Sequence, residues 1–132
     1  MMSDLGPGAT VYDEVGGLPF FEALVDRFYE GVAGDSELLA VYPTPEDLAP
    51  ARRHLALFLA QYWGGPPDYS VERGHPALRM RHAPFAIGTD ARDRWLVHMR
   101  AALRAMEPPP AVTQALEEYL ALAADALRNR ED

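Results

Sequence analysis

Glycine and proline cut this chain into short pieces, and the pieces between the cuts carry apolar residues at helical rather than alternating spacing. No stretch alternates in the manner of a half-buried strand, so an all-α fold is expected. Thr10 is placed to cap a short helix that stops at Gly16-Gly17. Phe21, Leu24, Val25, Phe28 and Val32 form one stripe over Pro19 to Val32, with Tyr29 beside it. Leu38 to Pro43 reads as a turn, because a proline disfavours helix in the residue before it.

Pro45 to Tyr62 gives a longer helix with Ala51, Leu55, Phe58, Leu59 and Tyr62 on one face, stopped by Gly64-Gly65-Pro66-Pro67. Asp68 to Gly74 reads as loop. A short helix is expected after His75-Pro76, with the proline in its first turn, ending near His82-Ala83-Pro84. Asp90 to Met106 carries Trp95, Met99, Ala102, Leu103 and Met106 at helical spacing before Pro108-Pro109-Pro110. Val112 to Asn129 repeats the pattern with Leu116, Tyr119, Leu120, Ala123 and Leu127. At 132 residues this is one core, expected over 11–128, with a disordered start at 1–10 and a frayed tail at 129–132.

Composition narrows function mainly by exclusion. The absence of cysteine removes disulfides, thiolate nucleophiles, zinc ribbons and iron-sulfur clusters. A net charge of −8 argues against nucleic acid, whose binding depends on neutralising phosphates. No apolar run approaches the ~20 residues that span a bilayer, and the start has neither the basic nor the apolar region of a signal peptide, so a cytoplasmic location is expected. Phosphate loops, nucleophile motifs and paired-histidine zinc helices are absent too.

What stands out is four histidines in an acidic chain, with Tyr29, Tyr42 and Trp95 on or beside apolar faces. Each has an ordinary explanation when taken singly. His82, at the end of a short helix, could simply meet the last carbonyls. Tyr29 and Trp95 could be core aromatics, and Tyr42 a turn residue. The arginines at 52, 53, 79 and 81 could be a solvated face.

In combination the segments resemble the truncated haemoglobins, the two-over-two globins, and specifically their group II members from actinobacteria. The resemblance runs from Val11 to about Leu127. Its most specific stretches are Tyr12-Asp13-Glu14-Val15-Gly16-Gly17, Arg27-Phe28-Tyr29, Val41-Tyr42-Pro43, Phe58-Leu59-Ala60-Gln61-Tyr62-Trp63-Gly64-Gly65-Pro66, and Arg73-Gly74-His75-Pro76 leading into Leu78 to Phe85, with Trp95 beyond. It implies a two-over-two helical sandwich around haem b, held without thioether links because there is no cysteine.

By that resemblance His82 is the iron ligand, and its second ring nitrogen donates to a nearby carbonyl or water. Tyr29, Tyr42 and Trp95 match the polar trio on the gas-binding side, and Ala51 stands where many globins place a distal histidine or glutamine. Leu55, Phe58, Phe28, Met80 and Met99 are implied as apolar walls. His75, Arg79, Arg81 and Tyr62 are implied as partners of the propionates. His54 stands where relatives often carry arginine, and is expected to be a weaker propionate contact.

The implied function is binding of O2 and other diatomics such as NO and CO, with conversion of O2 and NO to nitrate supported by an external reductase. A peroxidase-like enzyme acting on peroxide is an alternative, as is an O2 or sulfide binding or storage protein without turnover. Whether the chain is an enzyme stays open at this stage, as does its oligomeric state, with a homodimer among the states expected.

Overall fold

The computed structural model describes residues 10–130, and among them it is helical without a strand. In chain order the helices are α1 (Val11–Glu14), α2 (Leu18–Ala33), α3 (Ser36–Leu39), α4 (Ala49–Tyr62), α5 (Asp68–Arg73), α6 (Leu78–His82), α7 (Thr89–Ala105) and α8 (Pro110–Ala126). The expectation of disorder at the start falls on residues 1–9, outside the described ones. Thr10 Oγ1 caps α1 by accepting from the Asp13 amide at 3.1 Å.

The long helices pack as two pairs, α2 against α4 and α7 against α8, joined where α2 crosses α7. Their apolar stripes meet in one core. Phe21, Leu24, Phe28, Val32, Met99, Leu103, Val112 and Leu116 are almost wholly buried. Removing a large side chain from such a core costs the lost transfer energy and a cavity term. We therefore expect Leu103→Ala to lower unfolding free energy by about 2–5 kcal/mol, read by urea titration.

The two Gly-Gly pairs do different work at their second positions. Gly16, Gly17 and Gly64 adopt φ of 89°, 89° and 111°, which glycine reaches without a Cβ penalty. At Gly65 the constraint is proximity, since a Cβ there would stand 2.5 Å from Tyr12 Cε1 and 2.8 Å from the Ala60 carbonyl. Its absence lets α1 dock on the end of α4, where the Tyr12 amide donates to the Trp63 carbonyl at 3.0 Å.

Three expectations need correcting. Asp68–Arg73 is helical rather than loop. The Gln61 side chain supports it from α4, donating to Ser70 Oγ at 2.8 Å and accepting from the Ser70 amide at 2.9 Å. The α4 helix begins at Ala49 rather than Pro45, with proline in its first turn. Pro76 precedes α6 instead of opening it, because Ala77 takes a left-handed φ of 42° first. Of the tail expected to fray, residues 131–132 lie outside the described ones, and residues 129–130 meet the turn before α7. The Asn129 and Arg130 amides donate to the Ile87 carbonyl at 2.8 and 3.1 Å, and Asn129 Nδ2 donates to the His82 carbonyl at 3.1 Å.

Candidate functional site

Between the two helix pairs lies a cavity of about 330 Å³ with a predominantly apolar lining. Each wall comes from a different element. The α2 wall gives Tyr29, the turn after α3 gives Tyr42, and α4 gives Ala51, His54, Leu55 and Phe58. His82 comes from α6, Trp95 from α7, and Leu120 and Ala123 from α8.

His82 presents one defined face of its ring. Its Nδ1 lies 2.7 Å from the Leu78 carbonyl, one turn back on α6. A carbonyl only accepts, so Nδ1 is the donor, and the neutral form of the ring presents its lone pair on Nε2. No residue described in the structure bonds that nitrogen. A neutral imidazole oriented by a carbonyl is the donor form that metals take.

Tyr29, Tyr42 and Trp95 form a polar corner in the otherwise apolar lining. The Tyr29 and Tyr42 rings stand edge to face, 5.7 Å apart. Phe28 backs them, with its ring 4.8 Å from that of Tyr29 and 5.0 Å from that of Trp95. Burial pushes the Tyr29 hydroxyl well above the ordinary phenol range, and the neighbouring Tyr42 adds to the rise. Burial raises Tyr42 to about 12, against a lowering by polar contact with Tyr29 and Trp95. Both hydroxyls therefore keep their protons at neutral pH and can donate.

A lone-pair imidazole and three neutral donors share one apolar space, an arrangement that several kinds of bound group could use. The family match decides which. The chain matches the bacterial-like globin family over residues 10–129. It belongs to that family.

Among solved structures this globin is similar to a thermostable haemoglobin from the actinobacterium Thermobifida fusca, with 56% identity, coverage of 91% of this chain and 97% of that one, and a TM-score of 0.88. It is similar as well to the group II truncated haemoglobin from Bacillus anthracis, with 35% identity, 96% coverage of both chains and a TM-score of 0.90. Group 2 truncated haemoglobin YjbI from Bacillus subtilis is 48% identical over 80 residues, which are 61% of this chain and 59% of the relative. The matched stretches span between about half and three-fifths of the first curated relatives. As a group II truncated haemoglobin, this globin has haem b as its cofactor, and the cavity suits it: an apolar slot, an unprotonated ring nitrogen and no cysteine.

The cavity gathers only some of the residues singled out in the sequence. Tyr29, Tyr42, Trp95, Ala51, Leu55, Phe58, Arg81 and His82 line it. Phe28 and Met99 do not, being fully buried in the core behind it. Met80, expected as an apolar wall, is 71% exposed, because α6 turns its other face to the cavity and uses Leu78 there instead. Tyr62 is half exposed and stacks on Tyr119 at 4.1 Å, so Tyr119 lines the cavity in its place.

The expected propionate partners are also rearranged. Arg79 is exposed and outside the lining. His75 Nδ1 accepts from the Ala77 amide at 3.1 Å, holding the left-handed turn into α6. Arg81 does reach the cavity, but its Nε donates to the Pro76 carbonyl at 2.7 Å. Its Nη2 donates to those of Arg73 and His75 at 2.7 and 3.0 Å, which leaves Nη1 for an anion. This arginine chiefly pins the loop before His82.

Two cavity-lining cations were not anticipated. Arg73, at the end of α5, was hidden by reading that segment as loop. Its Nη1 meets His54 Nε2 at 3.1 Å, which requires a neutral His54 as acceptor. Burial lowers the His54 pKa, and Arg73 lowers it further. Arg92 on α7 is held by Asp125 at 2.6 Å and Asp93 at 3.0 Å. Only its position between Ala91 and Trp95 on the cavity-facing helix could have suggested it.

Proposed function

We propose that this chain binds O2, CO and NO at haem b and uses O2 to convert NO to nitrate, with an external reductase supplying one electron per turnover (NO + O2 + e⁻ → NO3⁻). Haem supplies the redox iron on which the gases meet. The protein positions it and shapes what surrounds the gas. His82 Nε2 is the group that would hold the iron, with Nδ1 kept protonated by Leu78. Leu55, Phe58 and Leu120 exclude water from the slot, and Arg73, Arg81, Arg92 and His54 offer positive or polar groups to the propionates at its edge.

The observation that carries this reading is the polar corner of Tyr29, Tyr42 and Trp95 in an apolar cavity that also contains the free nitrogen of His82. Two hydroxyls and an indole N–H favour a gas that takes up negative charge. O2 does so far more than CO, and a firmly held O2 is the reactant that NO needs. The test is stopped-flow mixing of the oxygenated protein with NO. Stoichiometric nitrate and a ferric product that reductant recycles would support the proposal. Displacement of O2 without nitrate would leave a binding protein.

A further inference from the structure

We propose that Asp35, acting through His98 and Arg94, is a positioning residue that fixes the distance between Tyr42 and Trp95 and so sets how strongly the pocket holds O2. This rests on the distal role proposed above for those two aromatics. Tyr42 and Trp95 reach the cavity from different elements, one on a turn and the other on α7. Something outside the cavity must hold those elements in register.

The Asp35 carboxylate is placed to do that. It caps α3, with Oδ1 accepting from the Leu38 amide at 3.2 Å. From Asp35 onward the backbone is braced to Tyr42, by Leu39 to Asp35, Ala40 to Ser36, Val41 to Leu38 and Tyr42 to Leu39 bonds of 2.8–3.2 Å. The segment thus forms one hydrogen-bonded unit rooted at Asp35. The same carboxylate grips α7 on both sides of Trp95. Oδ1 accepts from Arg94 Nη1 at 3.0 Å and Oδ2 from His98 Nε2 at 2.8 Å.

The side chain of Asp35 is only 10% exposed and that of His98 23%, so solvent replaces these bonds poorly. His98 occupies space that only a glycine leaves open, since a Cβ on Gly31 would lie 2.5 Å from its Nδ1. Arg94 also pairs with Asp90 and Glu37 at the surface, so the His98 bond is the stronger tie. None of the three side chains lines the cavity, so their effect on ligand must pass through Tyr42 and Trp95.

The test compares Asp35→Asn, His98→Leu and His98→Gln as haem-loaded proteins. Asparagine keeps the helix cap while losing the charge, and glutamine keeps a donor toward Asp35. We expect three- to tenfold faster O2 release in Asp35→Asn and His98→Leu, with CO release changing less than twofold. Their carbonyl complexes should show a shifted C–O stretch, and amide exchange over 38–42 should quicken tenfold. His98→Gln should return O2 release to within twofold of the parent. Combined with Trp95→Phe, the Asp35→Asn effect should shrink. Unchanged O2 release in folded Asp35→Asn and His98→Leu would overturn the proposal, and so would equal changes for O2 and CO or full additivity with Trp95→Phe. If Trp95→Phe by itself leaves O2 release unchanged, it is the distal role that fails.

Discussion

His82→Ala should strip this globin of stably held haem. Among the described cavity residues two carry imidazole rings, and since the His54 Nε2 lone pair is taken by Arg73, His82 Nε2 is the ring nitrogen left to bind a metal. Loss of an outer hydrogen-bond partner alone typically weakens metal affinity by roughly 10–100-fold. Removing the ligand itself should therefore exceed that range, leaving little Soret absorbance after gel filtration of a chain whose helical content is unchanged. Added imidazole should restore haem binding, because it refills the space and the lone pair together. Full haem content with an unaltered ferrous spectrum in His82→Ala would show that another residue holds the iron.

Trp95→Phe should speed O2 release by roughly ten- to a hundredfold. A hydrogen bond to a charged group is worth about 1.5–3 kcal/mol, and 1.4 kcal/mol is a factor of ten. Among the three donors proposed for the gas-binding side, Trp95 is the one whose loss should be least compensated. An indole only donates, whereas Tyr29 and Tyr42 stand 5.7 Å apart and each can turn to the other or to the ligand. Phenylalanine keeps the ring that packs on Phe28 while deleting the N–H. CO gathers little negative charge, so its release should change much less. Equal acceleration of both gases would mean that the substitution opened space instead of removing a bond.

Acid should weaken the fold partly through Asp35. Its pKa is lowered first by hydrogen bonding from His98, then by the Leu38 amide, with Arg94 contributing. A carboxyl depressed in the folded state stabilises fully above its ordinary value near 3.9, and that contribution is lost as pH falls through the depressed value. Asp35→Asn should thus flatten the acid limb of Tm against pH below about 4 relative to the parent. An identical acid limb in both proteins would place the sensitivity elsewhere.

The helices and their stripes were legible because the core is built from regularly spaced apolar residues, as in Phe21 to Val32 and Met99 to Leu103. The segments around the cavity were harder to read. Asp68–Arg73 is helical through support from Gln61 on another helix, which no local pattern records. Met80 and Leu78 are both apolar and two residues apart on a five-residue helix, and only the docking of α6 decides which one faces the cavity. Arg81 fits a carboxylate partner by type, but its donors are largely taken by the carbonyls of Arg73, His75 and Pro76. His82, Tyr29, Tyr42 and Trp95 were singled out through family resemblance rather than spacing, since each fits an ordinary structural place when taken alone.

The most direct test of the site is proton NMR of the ferrous haem protein made with isotope-labelled histidine. A histidine that holds the iron and donates from Nδ1 to the Leu78 carbonyl should give one strongly shifted, slowly exchanging ring N–H resonance coupled to the label. That resonance should persist in His54→Gln, His75→Gln and His98→Gln, and vanish in His82→Ala reconstituted with unlabelled imidazole. Its survival in His82→Ala, or its loss in one of the other three, would contradict the assignment of His82 to the iron.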